Sequence, residues 1–351
     1  MTNDRFILLQ AEGGIRMFLG NGAVRTDLVL EAREMYEKDA GLQGSSEVVT
    51  PPGVEAAEES DGPVKTTRIK VVTPEGERNT GKPMGSYITV ECPGLHRLDK
   101  QTHEKVCSIV ARELASLLKI KQNGTVLVAG LGNWNVTPDA LGPKVTSTML
   151  VTRHLLQYLP QDIASGIRPV SAISPGVLGI TGIETGEIIK GVVDKTLPDA
   201  VILVDALASR RIDRIGATIQ LADTGIAPGS GVGNKRMELS RQSLGIPVVA
   251  IGVPTVVDAA TMANDIIDIV AEALHQQAGG DQNLYGMLKT MDNEDRYRVI
   301  RESMQPWARD LVVTPKEVDE IIDTLSRILA NSINMALHQS ISVQQLDHFL
   351  H

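Results

Sequence analysis

Along the 351 residues, the spacing of apolar positions changes several times, and each change marks an element. Four short runs are aliphatic or β-branched and bounded by turn residues: Thr125 to Gly130, Ala200 to Asp205, Thr218 to Leu221 and Pro247 to Val253. Runs apolar on both faces read as central strands that need cover on both sides, the pattern of a parallel sheet. Elsewhere the spacing is helical. Val106, Ile109, Val110, Leu114, Leu117 and Leu118 form one stripe before the first strand, and Ala259, Met262, Ile266, Ile267, Ile269 and Val270 form another after the last. Thr314, Pro315 and Glu317 supply a start signal, with a capping hydroxyl, a proline in the first turn and an acid that reaches back. They predict a final helix to about Gln339. Thr67 to Val72 and Tyr87 to Glu91 read as a peripheral strand pair. The class is therefore α/β, a three-layer αβα arrangement with a mostly parallel central sheet, peripheral strands and C-terminal helices.

Two polar segments interrupt this pattern. Gly41 to Val64 carries Pro51, Pro52 and an acidic cluster from Glu55 to Asp61, which predicts a mobile loop. Gly279 to Arg301 is charged, opens on Gly279 and Gly280, and predicts a surface excursion. With 42% hydrophobic and 22% charged residues and no internal repeat, one decorated α/β domain is expected. The net charge of -9 disfavours direct binding to nucleic acid by phosphate neutralisation. The two cysteines, Cys92 and Cys107, form neither a disulfide framework nor a zinc motif, which fits a reducing, cytoplasmic compartment. No apolar run approaches the roughly 18 residues of a membrane span, so no membrane association is expected.

In open α/β sheets, ligands bind beyond the carboxyl ends of the strands. Two of the predicted strands lead to an acid there. The first passes through Gly130, Gly132, Asn133 and Asn135 to Asp139, and the second ends at Asp205. Two carboxylates sharing a water cannot both ionise easily, so one acts as base while the other keeps a proton to donate. That division of labour suits peptide hydrolysis. Each acid taken alone reads more readily as a helix cap, and it is the two together at one sheet edge that point to function. Gly229 to Lys235 has the wrong spacing for a nucleotide loop and reads as a loop shaping the site. His154 falls in a segment read as helical, and Cys107 reads as core.

The segments GLGNWNVTPDALGP, VTRHL, RPVSAISPGVLGITGIETGEII, VILVDALASR, DTGIAPGSGVGNKR and PVVAIGVPTVVDA closely resemble the germination proteases of spore-forming bacteria. The resemblance runs from Val24-Arg25-Thr26-Asp27-Leu28 to the C-terminal helices. It implies an endopeptidase of the atypical aspartic type, made as a zymogen in the forespore, that degrades small acid-soluble spore proteins at germination. The family's proposed catalytic aspartates fall on Asp139 and Asp205, with Gly132, Asn133, Asn135 and Arg210 supporting the loop. It further implies autocleavage near Ala23 and Val24, which makes residues 1–23 a propeptide and 24–351 the peptidase domain. A homotetramer and a fold similar to hydrogenase-maturation proteases are also implied. Neither cofactor nor metal is assigned, although the corresponding acids of hydrogenase-maturation proteases bind nickel. For a substrate pocket, Arg210, Arg211 and Lys235 are candidates.

Two rivals stand beside this reading. Peptidyl-tRNA hydrolases share a GLGN turn and a downstream Thr-Arg-His, echoed by Thr152, Arg153 and His154, but they use a histidine base and a basic face. A non-catalytic binding module, with both aspartates as caps, is the other.

Overall fold

The central strands are set apart by unbroken burial: every residue of Val126–Gly130 and of Thr218–Ala222 is buried. The computed structural model describes residues 26–39, 50–121, 123–156, 167–227, 237–278, 293–304 and 311–338. In chain order the elements are α1 (Val29–Asp39), β1 (Val54–Asp61), β2 (Val64–Val71), α2 (Pro74–Thr80), β3 (Gly85–Glu91), α3 (Lys100–Leu118), β4 (Val126–Gly130), α4 (Leu141–Thr148) and β5 (Val170–Ile173). There follow α5 (Leu178–Thr181), α6 (Thr185–Thr196), β6 (Ala200–Ser209), β7 (Thr218–Ala222), α7 (Arg241–Leu244) and β8 (Val248–Asp258). The last are α8 (Ala259–Ala278), α9 (Asn293–Ser303), β9 (Val312–Val313) and α10 (Val318–Leu337).

All nine described strands join one sheet in the order β1-β2-β3-β7-β8-β6-β4-β5, with β9 beside the end of β8. Helices cover both faces, as expected. On one face, Val106, Val110 and Leu114 of α3, Leu141 and Val145 of α4, and Ile322, Leu325 and Leu329 of α10 pack on Val128, Ile202, Val204 and Ile251. On the other, Ile189 and Val193 of α6 cover Leu127, Val201 and Leu203, while Val29 and Leu30 of α1 cover Ile69, Val71 and Tyr87.

Parallel pairing is confined to one side of the sheet, where β8, β6, β4 and β5 run together up to the β5 edge. From β7 outward, the pairings are antiparallel. The link from Ser209 to Thr218 is too short for the crossover a parallel partner needs. The peripheral pair, β2 and β3, therefore extends the main sheet through β7.

Several expectations change. The segment read as a mobile loop contains β1, an eight-residue strand whose acids meet bases on neighbouring elements. Glu58 pairs with Arg33 at 3.0 Å, Glu59 with Arg68 at 3.0 Å, and Asp61 with Lys105 at 2.5 Å. Those ion pairs and eight backbone partners on β2 let a polar sequence lie flat at the sheet edge. Residues 41–49 lie outside the described residues. The polar excursion includes α9, where Tyr297 is fully buried and its hydroxyl donates to Asp258. The helix α8 forms as predicted, yet Ile266, Ile269 and Val270 of its stripe stay exposed. Thr314 does not cap α10, because its hydroxyl donates to the Thr255 carbonyl instead. The helix begins at Val318.

One contact fixes α4 relative to the sheet. A β-carbon on Gly130 would lie 2.1 Å from the Gly142 carbonyl oxygen, and one on Gly142 would lie 2.5 Å from the Val204 oxygen. Main chain rests on main chain there, which only glycine permits.

At the opposite end, α10 finishes on a buried histidine. The Arg168 N–H donates to His338 Nδ1 at 3.3 Å, and burial pushes that imidazole down to about 4. An unfolded histidine binds its proton near 6.5. Between these values the unfolded chain takes up a proton that the folded chain refuses, so this group makes stability fall as pH drops from 6.5 toward 4. The expected size is on the order of 2–3 kcal/mol. Urea unfolding of the wild type and His338→Gln should show a shallower acid decline in the variant over that window, and parallel declines would contradict the assignment.

Candidate active site

The strand β4 stops at Gly130, opposite Val204, while its neighbour β6 runs on to Ser209. Asp205 is therefore mid-strand, not strand-terminal as the sequence suggested, and no helix follows for it to cap. Along a strand, alternate residues direct N–H and C=O to the same side. Val204 accepts the Leu131 N–H at 2.8 Å on the β4 side, so Ala206 and Ala208 face that side too. Ala208 is met by the N-terminal segment: the Asp27 N–H donates to its carbonyl at 2.9 Å, and its own N–H donates to Asp27 Oδ2 at 2.9 Å. Between these two rungs lies Ala206. Asp205 is 6% exposed, and its Oδ1 accepts the Ala206 N–H at 3.0 Å, which turns the carboxylate into the space beyond the end of β4.

Asp139 is brought to the same end of the sheet by the loop that follows β4. Gly132 has φ +112, and a β-carbon on it would lie 2.0 Å from the Asp139 carbonyl oxygen and 3.1 Å from its Oδ1. The loop thus folds back over a residue that must be glycine. The Asn133 N–H donates to the Asp139 carbonyl at 3.0 Å, and Asn133 Oδ1 accepts the Asn135 N–H at 3.0 Å. Gly132 and Asn133 therefore shape the loop, whereas Asn135 contributes its main chain and leaves its side chain in an exposed position. The 3-10 turn Thr137–Asp139 packs against β6 and β8. Half-buried Asp139 does not occupy the N-cap of α4, since that position is Ala140.

Arg210 lies elsewhere. It sits five residues past Asp205, about 16 Å along an extended chain, and its guanidinium pairs with Asp265 at 2.8 Å. Arg211 pairs with Asp213. Lys235, Ala23 and Val24 lie outside the described residues. His154 is in an exposed turn, not a helix, and the neighbouring Thr152 and Arg153 N–H groups bond Val170 at the start of β5. That is the amino end of the parallel strands, opposite Asp139 and Asp205. Among the described residues, no group of three or more His, Cys, Asp or Glu could hold a metal ion, and no helix is long and apolar enough to cross a membrane.

Sequence reading missed the groups that pin the N-terminal segment. Gln220 on β7 accepts the Val29 N–H at 2.8 Å and donates to the Asp27 carbonyl at 3.2 Å. Lys82 donates to the Thr26 and Asp27 carbonyls at 3.2 and 3.0 Å. Burial pushes this ammonium below its ordinary value, against the pull of Asp27 and Glu31. Glu31, itself pushed up by burial, accepts the Arg210 and Arg211 N–H groups at 2.7 and 3.1 Å. The one available signal was Gln220, a long polar side chain between Ile219 and Leu221 in a buried strand. Gln220 and Asp205 both align with Gly252, which sets them two strands apart, about 10 Å.

The model of the germination protease family matches residues 29–279 and 272–350. A germination protease of Clostridium tetani is 50% identical over 329 residues, covering 93% of this chain and 99% of that protein. Relatives of the same description from Caldanaerobacter subterraneus and Bacillus pumilus are 48% and 43% identical, each over 93% of this chain and over 98% and 97% of their own. A solved [NiFe] hydrogenase maturation protease, HycI from Thermococcus kodakarensis KOD1, overlaps 41% of this chain and 80% of its own at 22% identity and a TM-score of 0.28.

Replacing Gln220 by Leu removes both bonds it makes to the N-terminal segment. At about 1 kcal/mol per bond, the two together should let the Val29 amide exchange with solvent roughly thirtyfold faster. Unchanged protection at Val29 would mean that the segment is held by other contacts.

Proposed function

The chain belongs to the germination protease family, and on that premise we propose that it is an endopeptidase that degrades small acid-soluble spore proteins when the spore germinates. The observation that supports the mechanism is that the Asp205 carboxylate turns toward the end of β4 while the turn carrying Asp139 packs against β6. A water placed there would lose its proton to one carboxylate as it attacks the peptide carbonyl. The second carboxyl would protonate the departing amine. Gly132 and Asn133 set the position of Asp139, and the buried β6 strand sets that of Asp205.

In the same reading, residues 1–23 are a propeptide removed by autocleavage near Ala23 and Val24, in the cytoplasm of the forespore or spore core. The anchoring of Thr26 to Val29 by Lys82, Gln220 and Ala208 supports it, since chain upstream of Thr26 could be lost while these bonds remain. Self-association as a homotetramer is also part of the proposal, and exposed Ile266, Ile269 and Val270 offer apolar surface for it. No direct role for nucleic acid or a membrane is included.

Mixing the protein with a small acid-soluble spore protein and sequencing the fragments tests the activity directly. Asp139→Asn and Asp205→Asn should each slow cleavage by at least about a hundredfold, the scale of a lost acid or base. If both variants cleave at the wild-type rate, the pair is not the catalytic machinery. Because a working pair carries one proton, autoprocessing should quicken as pH falls across the range where the second carboxyl would otherwise ionise. Equal processing rates at acid and alkaline pH would remove that coupling.

A further inference from the structure

On the β4 side of β6, successive rungs are taken up by different pieces of chain. Val204 is bonded by Leu131 and Ala208 by Asp27. The rung between them belongs to Ala206, and among the described residues no strand pairs with it on that side. Burial marks the same place: every residue of β6 is buried except Ala206. Its N–H is engaged by Asp205, while its carbonyl, by strand alternation, points into the space beyond β4. The step from Val204 to Ala208 is about 13 Å at 3.3 Å per residue. That accommodates an extended segment of two or three residues and little else.

We infer that the substrate's main chain adds to the sheet at Ala206, as a short strand segment between Leu131 and Asp27 whose N–H donates to the Ala206 carbonyl. This rests on the peptidase reading above and specifies how that site holds its substrate. Strand addition suits a polypeptide because it reads main chain, with side-chain pockets only at alternate positions. It also places a peptide bond against Asp205, the preceding residue, and beneath the loop that carries Asp139. The N-terminal segment at Asp27 then closes the far end of the slot and limits how many residues can pair. Ala206 is thereby a positioning residue acting through its backbone, which explains why no side-chain motif announced it.

The test uses the processed protein and a short peptide spanning a cleavage site mapped in a small acid-soluble spore protein. Each amide of the peptide is N-methylated in turn, which deletes one donor. One amide near the scissile bond should raise KM by about tenfold or more, while the amides on either side, which face away, should leave KM little changed. A KM unchanged at every position, or raised alike at consecutive positions, would overturn strand addition. A parent peptide that is not cleaved at all would instead remove the peptidase reading, and this proposal with it. A second measurement locates the rung. In an Ala206→Cys, Asp205→Asn double variant, peptides bearing an activated disulfide at successive positions should be captured at positions two apart and not at the one between. The native thiols stay out of the way, since Cys92 and Cys107 are buried. Equal capture at every position would place the substrate elsewhere.

Discussion

The contact of Gly130 with Gly142 is the constraint on which the site depends. With no side chains between them, the first turn of α4 rests on the end of β4 and on the Val204 carbonyl. Everything in between, from Leu131 to Ala140, must then arch over the carboxyl end of the sheet and return within a short span. Gly132 in its positive-φ conformation and the hydrogen bonds of Asn133 make that return possible. Asp139 is carried toward β6 by this arch, whose closing turn packs against that strand. Rigid main-chain packing is a more exacting support for a carboxylate than a flexible loop would be.

The second determinant is the unequal length of neighbouring strands. Because β6 outlasts β4, backbone groups of β6 are left facing a space that other chain must fill. The segment before α1 fills one end of it, held by the carboxylate and main chain of Asp27, by Gln220 and by Lys82. A buried network around Glu31 and Arg214 holds the following turn in place. The N-terminal region is thus part of the wall of the site and not an appendage to it.

Much of this was legible in the sequence, for identifiable reasons. The four central strands and α3 follow from spacing alone, because buried strands and amphipathic helices impose different periods on apolar residues. The glycine-asparagine loop and its aspartate stood out because Gly132 can take a positive φ and Asn133 can bond nearby main chain through its side chain. Strand direction was not legible: nothing in Thr218 to Leu221 distinguishes an antiparallel strand from a parallel one. Nor was the extension of β6 past Asp205, since Ala206 to Ser209 carry no periodic signal of their own. Arg210 lies in the same VILVDALASR segment as Asp205, but an extended strand converts five residues into a long distance. The acidic run at Glu55 became a strand because its charges are neutralised by Arg33, Arg68 and Lys105, which lie far from it in the chain.

That edge strand has a consequence at high protein concentration. An open strand edge is ordinarily a template on which another molecule can polymerise. Here the edge displays Glu55, Glu58, Glu59 and Asp61 within a single strand, and the bases that steady some of them come from α1, β2 and α3, behind the edge. Two copies approaching edge to edge would set carboxylates against carboxylates while having to strip water from both rows. The strand is thereby a one-sided fastener: it accepts β2 on its inner side and repels its own likeness on the outer, which guards a concentrated protein against fibre formation.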